Sequence, residues 1–128
     1  MPTVLWIGLG GFLGANARYA LGMWAAGRWG TAFPYGTLAA NALGSFVLAF
    51  LLTLAAGRVS GVPGARLFVA VGFLGGFTTF STFSYETVSL LQQNDWWPAL
   101  LNLAANMGLG LLGAFLGVVV ARWLPGSG

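Results

Sequence analysis

Cysteine, histidine and lysine do not occur in this 128-residue chain, and Glu86 and Asp95 are its only acidic residues. Without cysteine there is no disulfide framework, thiolate nucleophile or Cys/His zinc site, and without histidine there is no imidazole general base. No nucleophile–base pair or metal-ligand cluster can be assembled from the remaining types, so an enzyme is not expected. Charged residues make up 5% of the chain, against about 25% in a water-soluble domain, too few to dress a surface that faces water. The five basic residues are arginines scattered at 18, 28, 58, 66 and 122. They form no cluster that could line up on phosphates, which excludes a nucleic-acid partner, and they suit headgroup anchors instead. What is present is apolar: 58% of residues are hydrophobic, mean hydropathy is +0.84 and 21 residues are glycine. This composition defines an integral membrane protein.

A helical crossing takes roughly 20 residues. Four apolar segments of that size fit the chain, approximately 4–26, 35–56, 67–91 and 98–123, in one domain spanning 1–128. Phe33-Pro34 and the turn-rich link Arg58, Ser60, Gly61, Pro63, Gly64, Arg66 separate the first three. Gln92-Gln93-Asn94-Asp95 closes the third, and Trp96, Trp97 and Pro98 open the fourth at an aqueous interface. The segments are continuously apolar without alternation, so the fold class is an all-α bundle and not a β-barrel. Ala15-Asn16-Ala17 imitates a signal cleavage site but lacks a basic leader, and we read it as part of a retained helix. Glycine and alanine pairs at small-xxx-small spacing (Gly10/Gly14, Ala40/Gly44, Gly72/Gly76, Gly113/Gly117) predict close helix–helix approach. Arg58, Arg66 and Arg122 fall on one side of the membrane and Arg28 and Asp95 on the other. So weak a bias permits insertion both ways and hence an antiparallel dimer, the smallest assembly that encloses a polar route.

Polar groups at membrane depth need a partner or a pathway. Asn16 and Arg18 lie in the first span, Asn41 and Ser45 in the second, and Asn102 and Asn106 one turn apart in the fourth. The third is densest, with Thr78, Thr79, Ser81, Thr82 and Ser84 within seven positions, preceded by Gly75-Gly76 and followed by Glu86. Paired glycines followed by β-branched threonines predict a helix break from Gly75 to Thr79, mid-membrane. The freed carbonyls would need a donor or a hard cation such as Na⁺. Beyond the break, Phe80 and Phe83 share one face while Ser81, Thr82 and Glu86 project elsewhere. The ordinary alternatives are core or lipid packing for the rings and bonding to carbonyls one turn earlier for the hydroxyls. Together, hydroxyls, the Asn41 amide and the electropositive ring edges can coordinate a small hard anion weakly enough to let it pass, fluoride being the extreme case.

The string Gly75-Gly76-Phe77-Thr78-Thr79-Phe80-Ser81-Thr82-Phe83 resembles the signature of the Fluc/CrcB fluoride channels. Gly14-Ala15-Asn16-Ala17-Arg18-Tyr19 and Gly36-Thr37-Leu38 through Asn41 to Gly44-Ser45-Phe46 agree with it in order. The resemblance implies a dual-topology antiparallel homodimer in a bacterial inner membrane, multi-pass, exporting fluoride passively and so relieving its toxicity. It implies a central structural Na⁺ held by the Gly75 and Thr78 carbonyls. Phe80 and Phe83 would form an aromatic box, Asn41 would donate its amide, and Ser81, Thr82 and Glu86 would build the facing polar track. Thr79 and Asn106 complete the expected pathway and Arg18 its vestibule, while Asn102 and Asn106 stand where the family often has a tyrosine and a small hydroxyl residue. The alternative is a small dual-topology, proton-coupled exporter of cationic drugs that uses Glu86, although such exporters place their acid in the first span. A structural subunit whose glycines and hydroxyls serve only packing is a third reading.

Overall fold

The computed structural model describes residues 2–56 and 63–124. The described residues are helical, without a strand: α1 (Thr3–Trp29), α2 (Tyr35–Ala56), α3 (Pro63–Arg66), a π-helical run Leu67–Leu74, α4 (Gly75–Phe77), α5 (Phe80–Gln92) and α6 (Trp96–Trp123). Among them, three helical runs are long and apolar enough to cross a membrane: Tyr35–Ala55, Gly64–Gln92 and Trp96–Trp123. α1 has 27 residues but carries Asn16, Arg18 and Arg28, so it falls outside that set. Of the expected second link, Arg58, Ser60 and Gly61 lie outside the described residues.

α1 packs along the π-helical run and α4, whereas α2 packs along α6. Past α4 the chain changes partner, and α5 lies chiefly on α6. Backbone contact at glycine explains both helix pairs, because in lipid the association of helices rests on close packing and not on expelled water. A Cβ added at Gly10 would collide with Phe68 O, and one at Gly14 with Phe73 O. Reciprocally, a Cβ at Gly72 would stand 2.7 Å from Ile7 O, and one at Gly76 2.8 Å from Gly11 O. On the other pair, Gly113 and Gly117 of α6 face Ala42 O and Phe46 O of α2. Three of the four small-residue pairs read from sequence are therefore backbone contact seams; in the fourth, Ala40/Gly44, Gly44 faces the Thr78 side chain instead.

The ends are set by local chemistry. α1 closes on Gly30, whose φ of 80° a side chain would resist and whose N–H bonds Ala26 O at 2.9 Å. α5 closes on Asn94 at φ 62°, with Asn94 N–H on Leu91 O and Asp95 N–H on Leu90 O, the paired bonds of a Schellman turn. Trp24, Trp29, Phe33 and Tyr35 stack edge-on or tilted around the α1–α2 connection. That connection shares a cavity with the end of α5, so the aromatic residues form a belt at one end of the bundle.

Candidate functional site

Thr78 (φ −88°, ψ 156°) and Thr79 (φ −154°, ψ 119°) are extended and divide α4 from α5. Gly75, at φ −63° and ψ −38°, and Gly76 remain helical. The extended backbone is thus narrower than the five residues expected from sequence. Gly76 lacks a side chain because Gly11 and Ala15 of α1 press against it, not because the chain bends there. The threonines provide what the opened helix needs. Thr78 Oγ1 donates back to Leu74 O at 3.0 Å, and Thr79 Oγ1 accepts from Thr82 N–H at 3.2 Å as the N-cap of α5, a contribution of about 1 kcal/mol.

Asn41, on α2, matches both backbone groups of Thr79. Its Oδ1 accepts the Thr79 N–H at 2.8 Å and its Nδ2 donates to Thr79 O at 3.0 Å. The second Nδ2 hydrogen goes to Asn106 Oδ1 at 3.0 Å. From α1, Arg18 Nε donates to Gly76 O at 3.3 Å. One side chain from each of α1 and α2 therefore bonds backbone groups freed at the interruption.

The structure gathers Asn41, Thr79, Phe80, Phe83 and Asn106 around one cavity of about 230 Å³, with Ser45, Thr78 and Met107 completing the wall. Phe80 and Phe83 lie 5.7 Å apart in an edge-to-face arrangement. Phe83 is 5% exposed and Phe80 76%, so the latter presents its ring outward from the protomer. Thr82 is held by Thr79 Oγ1 at 3.0 Å, and Ser81 is exposed beside the same oxygen. Glu86 is not in this cavity. It lines a second one of about 380 Å³ with Thr37, Ser89, Gln93 and Asp95, and its Oε1 is buried without a hydrogen-bond partner. Arg18 lines a third, of about 170 Å³, which Thr37 also borders. Thr37 thus joins the Arg18 and Glu86 surroundings, a role its place in the sequence motif did not assign. Ser45, four residues after Asn41 and so on the same helix face, carried a signal for the first cavity. Met107 carried none.

The opened ladder also has acceptors suited to a cation. The Thr79 N–H, which would bond Gly75 O in a continuous helix, is taken by Asn41, and Gly75 is exposed with open space where a Cβ would stand. No cluster of His, Cys, Asp or Glu occurs among the described residues, so only neutral oxygens are offered there. Carbonyl oxygens at a helix interruption fit a hard monovalent ion.

A small all-helical protein with membrane-crossing runs, interrupted where amide and hydroxyl groups and two aromatic rings border one cavity, has the layout of a membrane ion-transport protein. The family described as "CrcB-like protein, Camphor Resistance (CrcB)" matches residues 5–118. The chain belongs to that family. It is 54% identical over 123 residues to a Thermus thermophilus protein, covering 95% of each chain, and 50% identical over 123 residues to one from Roseiflexus, covering 96% of this chain and 99% of the relative. A Chloroflexus aurantiacus protein is 46% identical over 126 residues, 98% of this chain and all of its own. Each of the three is named "Fluoride-specific ion channel FluC".

Proposed function

We infer that this chain is a fluoride-selective channel, residing in a bacterial plasma membrane and releasing fluoride from the cytoplasm down its gradient. The observation that carries this is end-to-end identity of up to 54% with proteins named as fluoride-specific channels. The cationic-drug exporter has no such support. α1 is the fourth crossing element, Arg18 being tolerated within it because it turns inward to Gly76 O, while Arg28 stands in the last turn. The break at Thr78–Thr79 lies near the middle of the bilayer, 14 residues into the run that begins at Gly64 and 13 before its end at Gln92.

Fluoride passes along the 230 Å³ cavity past the ring edges of Phe80 and Phe83 and the Asn41 amide, with Thr79 in its wall and the hydroxyls of Ser81 and Thr82, outside that lining, on the adjoining first turn of α5. In the structure both Asn41 amide hydrogens are engaged, so an anion obtains one by exchange with Asn106 Oδ1. Exchange of one hydrogen bond for another keeps binding weak, as conduction demands. Glu86 and Arg18, whose cavities share Thr37, belong to the mouth of the route. Two copies insert antiparallel, and the exposed Phe80 ring and Gly75 carbonyl of each face the other. The Gly75 and Thr78 carbonyls of the two copies would hold a Na⁺, which would supply positive charge beside the carbonyl oxygens freed at the interruption.

The reading is tested by fluoride efflux from liposomes containing the purified protein, followed with a fluoride electrode. Efflux well above that of empty liposomes, with chloride retained, is expected. Efflux equal to the empty control would overturn it.

A further inference from the structure

We propose that Thr87, Asn102 and Asn106 form a hydrogen-bond relay that, together with the Thr79 backbone, holds the Asn41 carboxamide in one orientation, which makes them positioning residues for the anion cavity. Thr87 Oγ1 donates to Phe83 O at 2.9 Å, so its oxygen is left to accept, and Asn102 Nδ2 donates to it at 2.9 Å. Asn102 Oδ1 therefore points to Asn106, whose Nδ2 donates to it and to Asn102 O, both at 2.9 Å. That leaves Asn106 with Oδ1 toward Asn41 Nδ2. At the far end, the N–H and C=O of Thr79 dictate the same orientation of Asn41 independently. The polarity of the relay is thus fixed from both ends, and the two ends agree.

Turning any one amide over would set donor against donor or acceptor against acceptor. Asn102 is fully buried, and Asn106 nearly so, so a mismatch between these two amides is shielded from bulk solvent. The relay runs from the carbonyl of Phe83, through α6, to the donor in the cavity that Phe83 lines. It couples ring and amide through residues of which two, Thr87 and Asn102, do not line that cavity.

The functional half of this proposal rests on the fluoride reading; the structural half does not. The test compares Thr87→Val, which keeps the shape and loses the hydroxyl, with Thr87→Ser, which keeps the hydroxyl and loses a methyl group. A relay predicts that Thr87→Val lowers fluoride efflux about ten-fold, the factor of one broken buried hydrogen bond, while Thr87→Ser conducts like the parent protein. Efflux preserved in Thr87→Val, or lost in Thr87→Ser alone, would overturn it. Side-chain amide resonances of ¹⁵N-asparagine-labelled protein give a second reading: the Asn41 pair should move in Thr87→Val and stay in Thr87→Ser. Should the unsubstituted protein carry no fluoride, the channel assignment fails and these resonances alone decide the relay. Should Thr87→Val not fold, slow hydrogen exchange of the Asn41, Asn102 and Asn106 side-chain amides in the parent protein supports the relay, and fast exchange of any of them refutes it.

Discussion

Replacing Asn41 with alanine removes three hydrogen bonds at once: those to Thr79 N–H, to Thr79 O and to Asn106 Oδ1. Were the site dry, three orphaned groups would cost roughly 3–9 kcal/mol, at about 1–3 each. The adjoining cavity of about 230 Å³ is bordered by Asn41, Thr79 and Asn106 and has polar walls and room for water. Each orphan then falls to the low end, and we expect a loss of about 3 kcal/mol. Equilibrium unfolding in mixed micelles with rising SDS measures the loss, and amide exchange at Thr79 locates it. Exchange there should accelerate by about a hundred-fold as the N-terminus of α5 loses its anchor. Asn41→Asp sharpens the test because the shape is unchanged. Its second oxygen would face two acceptors, Thr79 O and Asn106 Oδ1, each now 3.0 Å from the amide nitrogen. It should be at least as damaging as alanine. An unfolding midpoint for Asn41→Ala within about 0.5 kcal/mol of the parent, with Thr79 exchange unaltered, would show that the carboxamide does not hold the interruption open.

Three further outcomes are expected. Phe80→Ile and Phe83→Ile should each suppress fluoride efflux; Phe83→Ile, whose ring is 5% exposed within the protomer, should also cost about 1 kcal/mol by thermal unfolding. Unchanged efflux in both would remove the ring edges from the mechanism. Gly14→Ala forces a methyl group against the Phe73 backbone and should destabilise by about 3 kcal/mol or prevent folding, while Gly8→Ala, with nothing within 4 Å, should be neutral or slightly stabilising in the same assay. Exchanging Na⁺ for a large organic cation in the buffer should lower the thermal midpoint of the purified protein; an unchanged midpoint would remove the carbonyl-held ion from the proposal.

The glycine seam and the hydroxyl-rich stretch were legible residue by residue. Gly10, Gly14, Gly72 and Gly76 announced a close crossing by spacing alone, because spacing of four places small residues on one helix face whatever the partner. Other features were legible only by type. Thr79 was a hydroxyl among five, and nothing local marked it as the N-cap of α5 or as the backbone that Asn41 grips. Glu86 and Asn106, both expected beside the pathway, stand in different cavities, since they sit on α5 and α6 at different heights of the bundle. The π-helical run had no counterpart in the sequence reading.

Composition by itself determined the solvent and the secondary structure. A chain with 5% charged residues cannot remain in water, and in lipid a continuously apolar segment must satisfy its own backbone as helix. Tertiary structure alone decided the pairings across the interruption: Arg18 with Gly76, 58 residues apart; Asn41 with Thr79, 38 apart; and Asn41 with Asn106, 65 apart. Sequence periodicity tells which residues share a helix face. Which amide then meets which carbonyl depends on the vertical register of one helix against another, and that register is set by where glycine lets two backbones touch.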